Sequence, residues 1–260
     1  MTTEGGEIHM PDKELSGRVA IVTGAGRNIG RGIALELAAA GAAVAVNVRS
    51  NRAEAEAVVK EIEAKGGRAL AFVADVVDPA AVEAMVQATL KSFGRIDYLV
   101  NNAALRHDGP FEKMSFEEWR MITGTILDGA FHCVKACMSH LKASGAGSII
   151  NVGGLSGHTG AKGRAHVCAG KMGLIGLTRA LAYELAPHQV TVNTLVPGMM
   201  AEWVGGQWDT RIREHPLFRP ILGRTALPED MATTARFLVG PGARYITGQT
   251  INVNGGSYFG

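Results

Sequence analysis

The sequence is poor in the features that mark many specialised proteins. It has three cysteines in 260 residues and no CxxC pair. That excludes a disulfide framework and a zinc knuckle, and it suits a reducing cytoplasmic setting. None of the eight histidines falls in an HExxH pattern, so the usual zinc hydrolase is excluded and no metal is expected. Net charge is only +2, too weak a field to argue for nucleic acid. No apolar run reaches the ~18 residues that would suggest a membrane span. The first fifteen residues, MTTEGGEIHMPDKEL, carry several acids and no apolar stretch. They read as a flexible leader, residues 1–15, rather than a signal peptide. Repeats and low-complexity tracts are absent, so residues 16–260 are expected to form one domain.

Short apolar runs are what the chain does have. They cover residues 19–23, 43–48, 69–74, 98–100, 148–152, 190–195 and 250–253. Each is bounded by glycine or polar residues and reads as a strand buried on both faces. Stretches of helix-forming composition lie between them, at 29–40, 52–65, 80–92, 115–141, 167–185 and 228–238. Seven strands alternating with six helices predict an α/β fold, a single-domain Rossmann-type doubly wound parallel sheet with helices on both faces. Cys133 and Cys137 are four apart, on one helix face, and read as core. Residues 199–222 break the alternation. This long stretch follows a strand's carboxyl end, where such sheets bind ligands, and is expected to be a substrate lid.

The first strand runs into Thr23-Gly24-Ala25-Gly26-Arg27-Asn28-Ile29-Gly30. Gly24, Gly26 and Gly30 let the backbone turn tightly against a pyrophosphate. The helix behind them, opening near Ile29, offers free N–H groups and a positive dipole end. The second strand ends in Asn47-Val48-Arg49-Ser50, with no carboxylate to take up the ribose hydroxyl of NAD. Arg49 and Ser50 instead offer a cation and a hydroxyl to a 2′-phosphate, and Arg27 adds a second cation. A planar guanidinium suits phosphate, so the expected cofactor is NADP(H).

Further stretches bring a family into view: ADVVD around Asp75, Asn101-Asn102-Ala103-Ala104, VNTLVPG at 192–198, and GRTALPEDMA followed by ITGQTINVNGG. Over residues 15–256 the chain resembles the short-chain dehydrogenase/reductases, above all NADPH-using members such as the 3-oxoacyl-carrier-protein reductases. The resemblance implies that Asp75 and Val76 flank the adenine and that Asn101 to Ala103 border the cofactor, with Asn102 and Ala103 binding it; Pro197 and Gly198 are expected among the cofactor-binding residues. Asn28 stands where the family has glycine, and asparagine tolerates the left-handed backbone better than most residues. The resemblance also implies a homotetramer or homodimer built on two long helices and the C-terminal strand. The uncharged tail from Asn254 could reach a neighbouring subunit.

In this family a tyrosine gives a proton to the substrate oxygen, and a lysine four residues later depresses its pKa and grips the ribose. A serine holds the oxygen, and an asparagine positions a water relay. Lys171 matches the lysine. The other three positions hold Val167, Gly154 and Ile126, none with a transferable proton. Losing general acid catalysis costs about 10²–10⁴-fold in rate. His158 and Ser156, on the loop after the fifth strand, are the candidate replacements, with His166 and Cys168 flanking Val167. Arg106, His107, Lys162 and Arg164 would favour an anionic small-molecule substrate if they converge. Three functions follow: an NADP(H)-dependent reductase with a non-standard proton donor, a catalytically inactive nucleotide-binding subunit, or a non-redox lyase or dehydratase. Certain relatives, the 2,4-dienoyl-CoA reductases, also lack the usual tyrosine and reduce conjugated C=C bonds.

Overall fold

The computed structural model describes residues 13–204, 207–210 and 219–260, without the side chains of 202–204. In chain order its main elements are β1 (Val19–Val22), α1 (Asn28–Ala39), β2 (Ala43–Val48), α2 (Arg52–Ala64), β3 (Arg68–Val73), α3 (Pro79–Phe93), β4 (Tyr98–Asn101), α4 (Phe116–Thr123) and α5 (Gly129–Ala143). They continue with β5 (Ser148–Val152), α6 (Leu155–Thr159), α7 (Ala165–Leu185), β6 (Thr191–Pro197), β7 (Glu202–Val204), β8 (Gln207–Asp209), α8 (Pro228–Val239) and β9 (Thr250–Val253). Seven strands pair in parallel in the order β3-β2-β1-β4-β5-β6-β9. The chain winds outward in one direction from β1 and in the other from β4. Their carboxyl ends therefore part and leave a crevice.

The strand alternation explains the two layers. Ala20 and Val22 of β1 enter one core with Ile33, Leu37 and Met231, under α1 and α8. Ile21 enters the other, with Met85, Cys133 and Leu181 of α3, α5 and α7. Cys133 and Cys137 are fully buried there, and burial pushes the Cys133 thiol up to about 12. Among the described residues no helix is long and apolar enough to cross a membrane.

Several local features depart from the sequence reading. The helix expected over 115–141 is broken by one π turn at Gly124–Asp128. Thr123 and Thr125 donate their hydroxyls back to the carbonyls of Trp119 and Met121, at 2.6 and 2.8 Å. Such back-bonding competes with the helical ladder. At Gly129 a Cβ would stand 2.5 Å from Val76 Cγ2, so the helix passes close to the end of β3 only because glycine is there. The loop after β5 contains the short helix α6, and α7 starts two residues early, at Ala165.

The chain ends also have particular placements. Leu15 is fully buried, and Glu14 forms a bidentate pair with Arg236 at 2.6 Å. The last residues of the expected leader are therefore docked on α8, while residues 1–12 lie outside the described ones. Of the expected lid, residues 202–204 and 207–209 form the β7–β8 hairpin; 205–206 and 211–218 lie outside the described residues. The tail turns back on its own chain, with Asn254 Nδ2 donating to the Tyr258 carbonyl at 3.0 Å.

Candidate active site

The crevice beyond β1 and β4 is walled by backbone, and glycine makes that approach possible. A Cβ on Gly30 would lie 2.4 Å from both Asn102 Nδ2 and the Gly24 carbonyl. One on Gly26 would lie 2.8 Å from Val48 Cγ1. Asn28 holds φ at 50°, in the left-handed region expected of it. Two asparagines fix the loop. Asn102 Nδ2 donates to the carbonyls of Thr23 and Gly24, at 2.9 and 3.0 Å. Asn47 Oδ1 accepts the Gly24 N–H at 3.3 Å while its Nδ2 donates to the Ala74 carbonyl at 3.0 Å. Asn47 was not singled out from the sequence, although a lone amide in the apolar run AVAVNV is a visible signal of such a tie.

The resulting cleft has a volume of about 390 Å³, within the range of small-molecule sites. Gly24, Gly26, Arg27, Asn28, Ile29, Gly30, Arg49, Ser50, Asp75, Val76, Asn102 and Ala103 all line it. Those twelve sequence candidates are thus brought together. Pro197 and Gly198 do not line this cleft; Gly198 packs against Asn254, where a Cβ would lie 2.6 Å from Cα. Arg27, Arg49 and Ser50 are exposed at its mouth, and no described carboxylate forms an ion pair with either arginine. Glu54, also missed in the sequence, lies beneath Gly26.

Lys171 lies one strand over, at the end of β5. It is buried, and its Nζ donates to the Val152 carbonyl at 2.6 Å. Burial pushes the ammonium down to about 8. A Cβ on Gly154 would meet Lys171 Cγ at 3.4 Å, so position 154 faces the lysine stem. The other two polar roles that the family resemblance assigns fall on apolar residues of one buried cluster. Ile126 and Val167 share one cluster with Ile122, Ala130 and Leu174, and Leu105 packs against it.

The remaining candidates are placed elsewhere. His158 and Ser156 do not line the cleft. The His158 ring lies 5.2 Å from that of Tyr258, and its Nε2 is buried without a partner. Burial lowers its pKa, with a smaller contribution from Arg179. His166 is fully buried. Its Nδ1 accepts the Val167 N–H at 2.9 Å, and its Nε2 donates to Glu118 Oε1 at 3.3 Å. His107 donates to the same oxygen at 2.5 Å, and this bond chiefly holds Glu118 below the usual carboxylate range. Arg164 makes a bidentate pair with Asp108 at 2.6 and 2.7 Å, and Arg106 approaches Asp108 at 3.9 Å. Arg106 and Arg164 thus converge, but on a carboxylate of the chain itself.

Comparison with known proteins places these features among relatives. The family model described as Enoyl-(Acyl carrier protein) reductase matches residues 24–258. The 3-oxoacyl-[acyl-carrier-protein] reductase of Staphylococcus aureus is 41% identical over 239 residues, covering 92% of this chain and 97% of that one. The Synechocystis enzyme of the same name is 42% identical over 244 residues, covering 93% and 97%. Among solved structures, a dehydrogenase/reductase from Sinorhizobium meliloti superposes with a TM-score of 0.86 at 33% identity, covering 94% of this chain and 96% of that one. A blue fluorescent protein from a metagenomic library, in complex with NADPH, gives 0.85 at 32% identity, covering 95% and 100%.

Proposed function

Because the chain belongs to the short-chain dehydrogenase/reductase family, we propose that it is an NADP(H)-dependent reductase acting on conjugated C=C bonds rather than isolated ketones. The residues present suit that cofactor. At Gly26 and Gly30 any Cβ would meet the protein's own atoms, so glycine lets the loop close against Val48 and Asn102 in the tight turn a pyrophosphate needs. Arg27, Arg49 and Ser50 stand exposed where a 2′-phosphate would need a cation and a hydroxyl. Asp75, Val76, Asn102 and Ala103 line the same cleft; the first two would flank the adenine and the other two would border the cofactor. Relatives named as reductases, and a structural neighbour holding NADPH, support the same assignment.

Bound NADPH supplies a hydride. What the chain must add is orientation, exclusion of water and a proton. The observation that carries the choice of acceptor is that Ile126 and Val167 belong to one buried apolar cluster. Neither side chain can protonate a developing alkoxide, so ketone reduction lacks its acid. A conjugated acceptor spreads the new charge over an enolate, which is less basic and takes its proton at carbon. The Ile126–Val167 wall then serves as an apolar surface against which the unsaturated chain lies. Lys171 is the residue that would hold the ribose.

The same apolar cluster favours a second reading: a nucleotide-binding subunit that retains the cleft and has lost its chemistry. One experiment separates the two. NADPH and NADH are titrated by nucleotide fluorescence, and the loaded protein is then offered enones, enoyl thioesters and matched saturated ketones. Preferential NADPH binding with oxidation by the unsaturated acceptors supports the reductase. Tight binding without turnover supports the subunit. Ketone turnover at the same rate contradicts the assigned acceptor.

A further inference from the structure

The nucleotide cleft holds a carboxylate that the second strand does not supply. β2 ends in Arg49 and Ser50 with no acid, yet Glu54, on the first turn of α2, lines the cleft together with Gly26, Arg27, Arg49 and Ser50. It lies directly against the glycine turn. A Cβ on Gly26 would stand 3.0 Å from Glu54 Cβ and 3.0 Å from Glu54 Oε2. Glycine at 26 therefore makes room for this carboxylate as well as for Val48. Glu54 is half-buried, and among the described residues its carboxylate has no hydrogen bond and no ion pair.

Helix capping does not account for that placement. Asn51 is the N-cap of α2, and Glu54 is the third residue of the helix. A glutamate there commonly reaches back to the N-cap amide. Here only the backbone N–H of Glu54 meets Asn51, donating to its carbonyl at 3.2 Å. An acid in the first turn also complements the helix dipole, a role that an outward-facing side chain would fill equally. The other charges nearby are accounted for. Arg52 approaches Glu56 at 3.9 Å, and Asp75 Oδ1 accepts the Val77 N–H at 3.2 Å. The charged residues lining the cleft are Arg27, Arg49, Glu54 and Asp75. Two cations thus face two carboxylates, in a cleft that a phosphorylated ligand alone would make cationic.

We propose that Glu54 is a specificity-determining residue of this cleft: it accepts the ribose 2′-hydroxyl of NADH and opposes the 2′-phosphate of NADPH, so that NADH is a second working cofactor. The inference rests on the NADP(H) reading above and deepens it. An ionised carboxylate can only accept hydrogen bonds. It gains a charge-assisted bond from a hydroxyl, whereas beside a phosphate it places like charges together, which is costly. Arg27 and Arg49 pull in the other direction, from exposed positions at the mouth. NADPH is then favoured by two exposed cations and disfavoured by one half-buried anion, and its lead over NADH is small.

The test is equilibrium binding and needs no turnover. Dissociation constants for NADPH and NADH are measured by nucleotide fluorescence on wild type, Glu54→Gln and Glu54→Ala. Adenosine 2′,5′-bisphosphate and ADP, which lack the nicotinamide, are compared on the same proteins by calorimetry. Glu54→Gln keeps the size of the side chain and loses only its charge. Glu54→Ala removes the acceptor altogether. The two wild-type cofactor constants should lie within about tenfold of each other, the low end of what one bond to a charged group is worth. Glu54→Gln should tighten NADPH and weaken NADH, moving their ratio about tenfold towards NADPH. Glu54→Ala should move it at least as far, and the bisphosphate should gain on ADP by the same factor.

A glutamate that merely shapes the turn would shift both members of each pair together. An unchanged ratio, in either variant, would therefore overturn the role of Glu54 and leave the NADP(H) reading standing. Wild-type NADPH binding more than about tenfold tighter than NADH would overturn the second cofactor. A wild-type protein that binds neither nucleotide would overturn the NADP(H) reading itself.

Discussion

Replacing Ile126 with asparagine restores the amide that the family uses, at a position this chain has rebuilt in hydrocarbon. Ile126 is 2% exposed and packs with Ile122, Ala130, Val167 and Leu174. It also covers Gly170 of α7, where a Cβ would lie 3.1 Å from Ile126 Cγ2. Removing a fully buried isoleucine forfeits about 1.5–3 kcal/mol of apolar burial. Burying an amide without a partner costs about 1–3 kcal/mol more. Ile126→Asn alone should therefore destabilise the fold by about 3–5 kcal/mol. At about 2–4 °C per kcal/mol for a domain of this size, the melting temperature should drop by about 10 °C. Thermal and urea melts of the single variants and of Ile126→Asn combined with Val167→Tyr measure both the loss and its coupling. Residues packed into one cluster should show a coupling of about 0.5–3 kcal/mol. A melting temperature within 2 °C of wild type, or strict additivity, would refute the idea that the two emptied positions are packed into one apolar cluster.

Three more outcomes follow from the geometry. Gly30→Ala forces a Cβ to within 2.4 Å of the Gly24 carbonyl and Asn102 Nδ2; NADPH affinity by fluorescence should fall at least about tenfold, or 1.4 kcal/mol, and unchanged affinity would contradict the close-approach argument. Arg49→Ala should weaken NADPH by about 1.5–3 kcal/mol, the worth of a hydrogen bond to a charged group, while leaving NADH nearly unaffected; equal losses for both would remove Arg49 from the 2′-phosphate. Lys171 has its folded pKa lowered from 10.5 to about 8, so the fold holds fewer protons than the unfolded chain between those values and stability rises with pH across that window. The full effect is about 3 kcal/mol. Relative to wild type, Lys171→Met should be more stable near pH 7 and lose that advantage by pH 10.5; a stability difference independent of pH would show that the lysine is not desolvated.

The sheet was legible because its strands are short apolar runs between turn residues, and that pattern is local. β2 falls on residues 43–48 as expected, and β5 on 148–152. The nucleotide cleft was legible for a related reason: its walls are the strand-to-helix turns at 24–30, 47–51, 74–76 and 102–105, each contiguous in sequence. What could not be read depends on contacts between distant residues. His158 meets Tyr258, a hundred positions away, instead of the cleft. Asp108 takes up Arg164 across 56 residues and is approached by Arg106, so two of the cations that suggested an anion site meet a carboxylate of the chain itself. The π turn depends on two threonine hydroxyls choosing backbone carbonyls over solvent, which composition does not reveal.

The central claim is that the cleft still delivers a hydride although no phenol stands beside it. The most direct measurement is single-turnover oxidation of NADPH preloaded on the wild-type protein, followed by nicotinamide absorbance with an α,β-unsaturated carbonyl and with its saturated ketone counterpart. Oxidation is expected with the unsaturated compound, and none with the ketone on the same timescale. Oxidation by the ketone at an equal rate, or by neither compound, would contradict it.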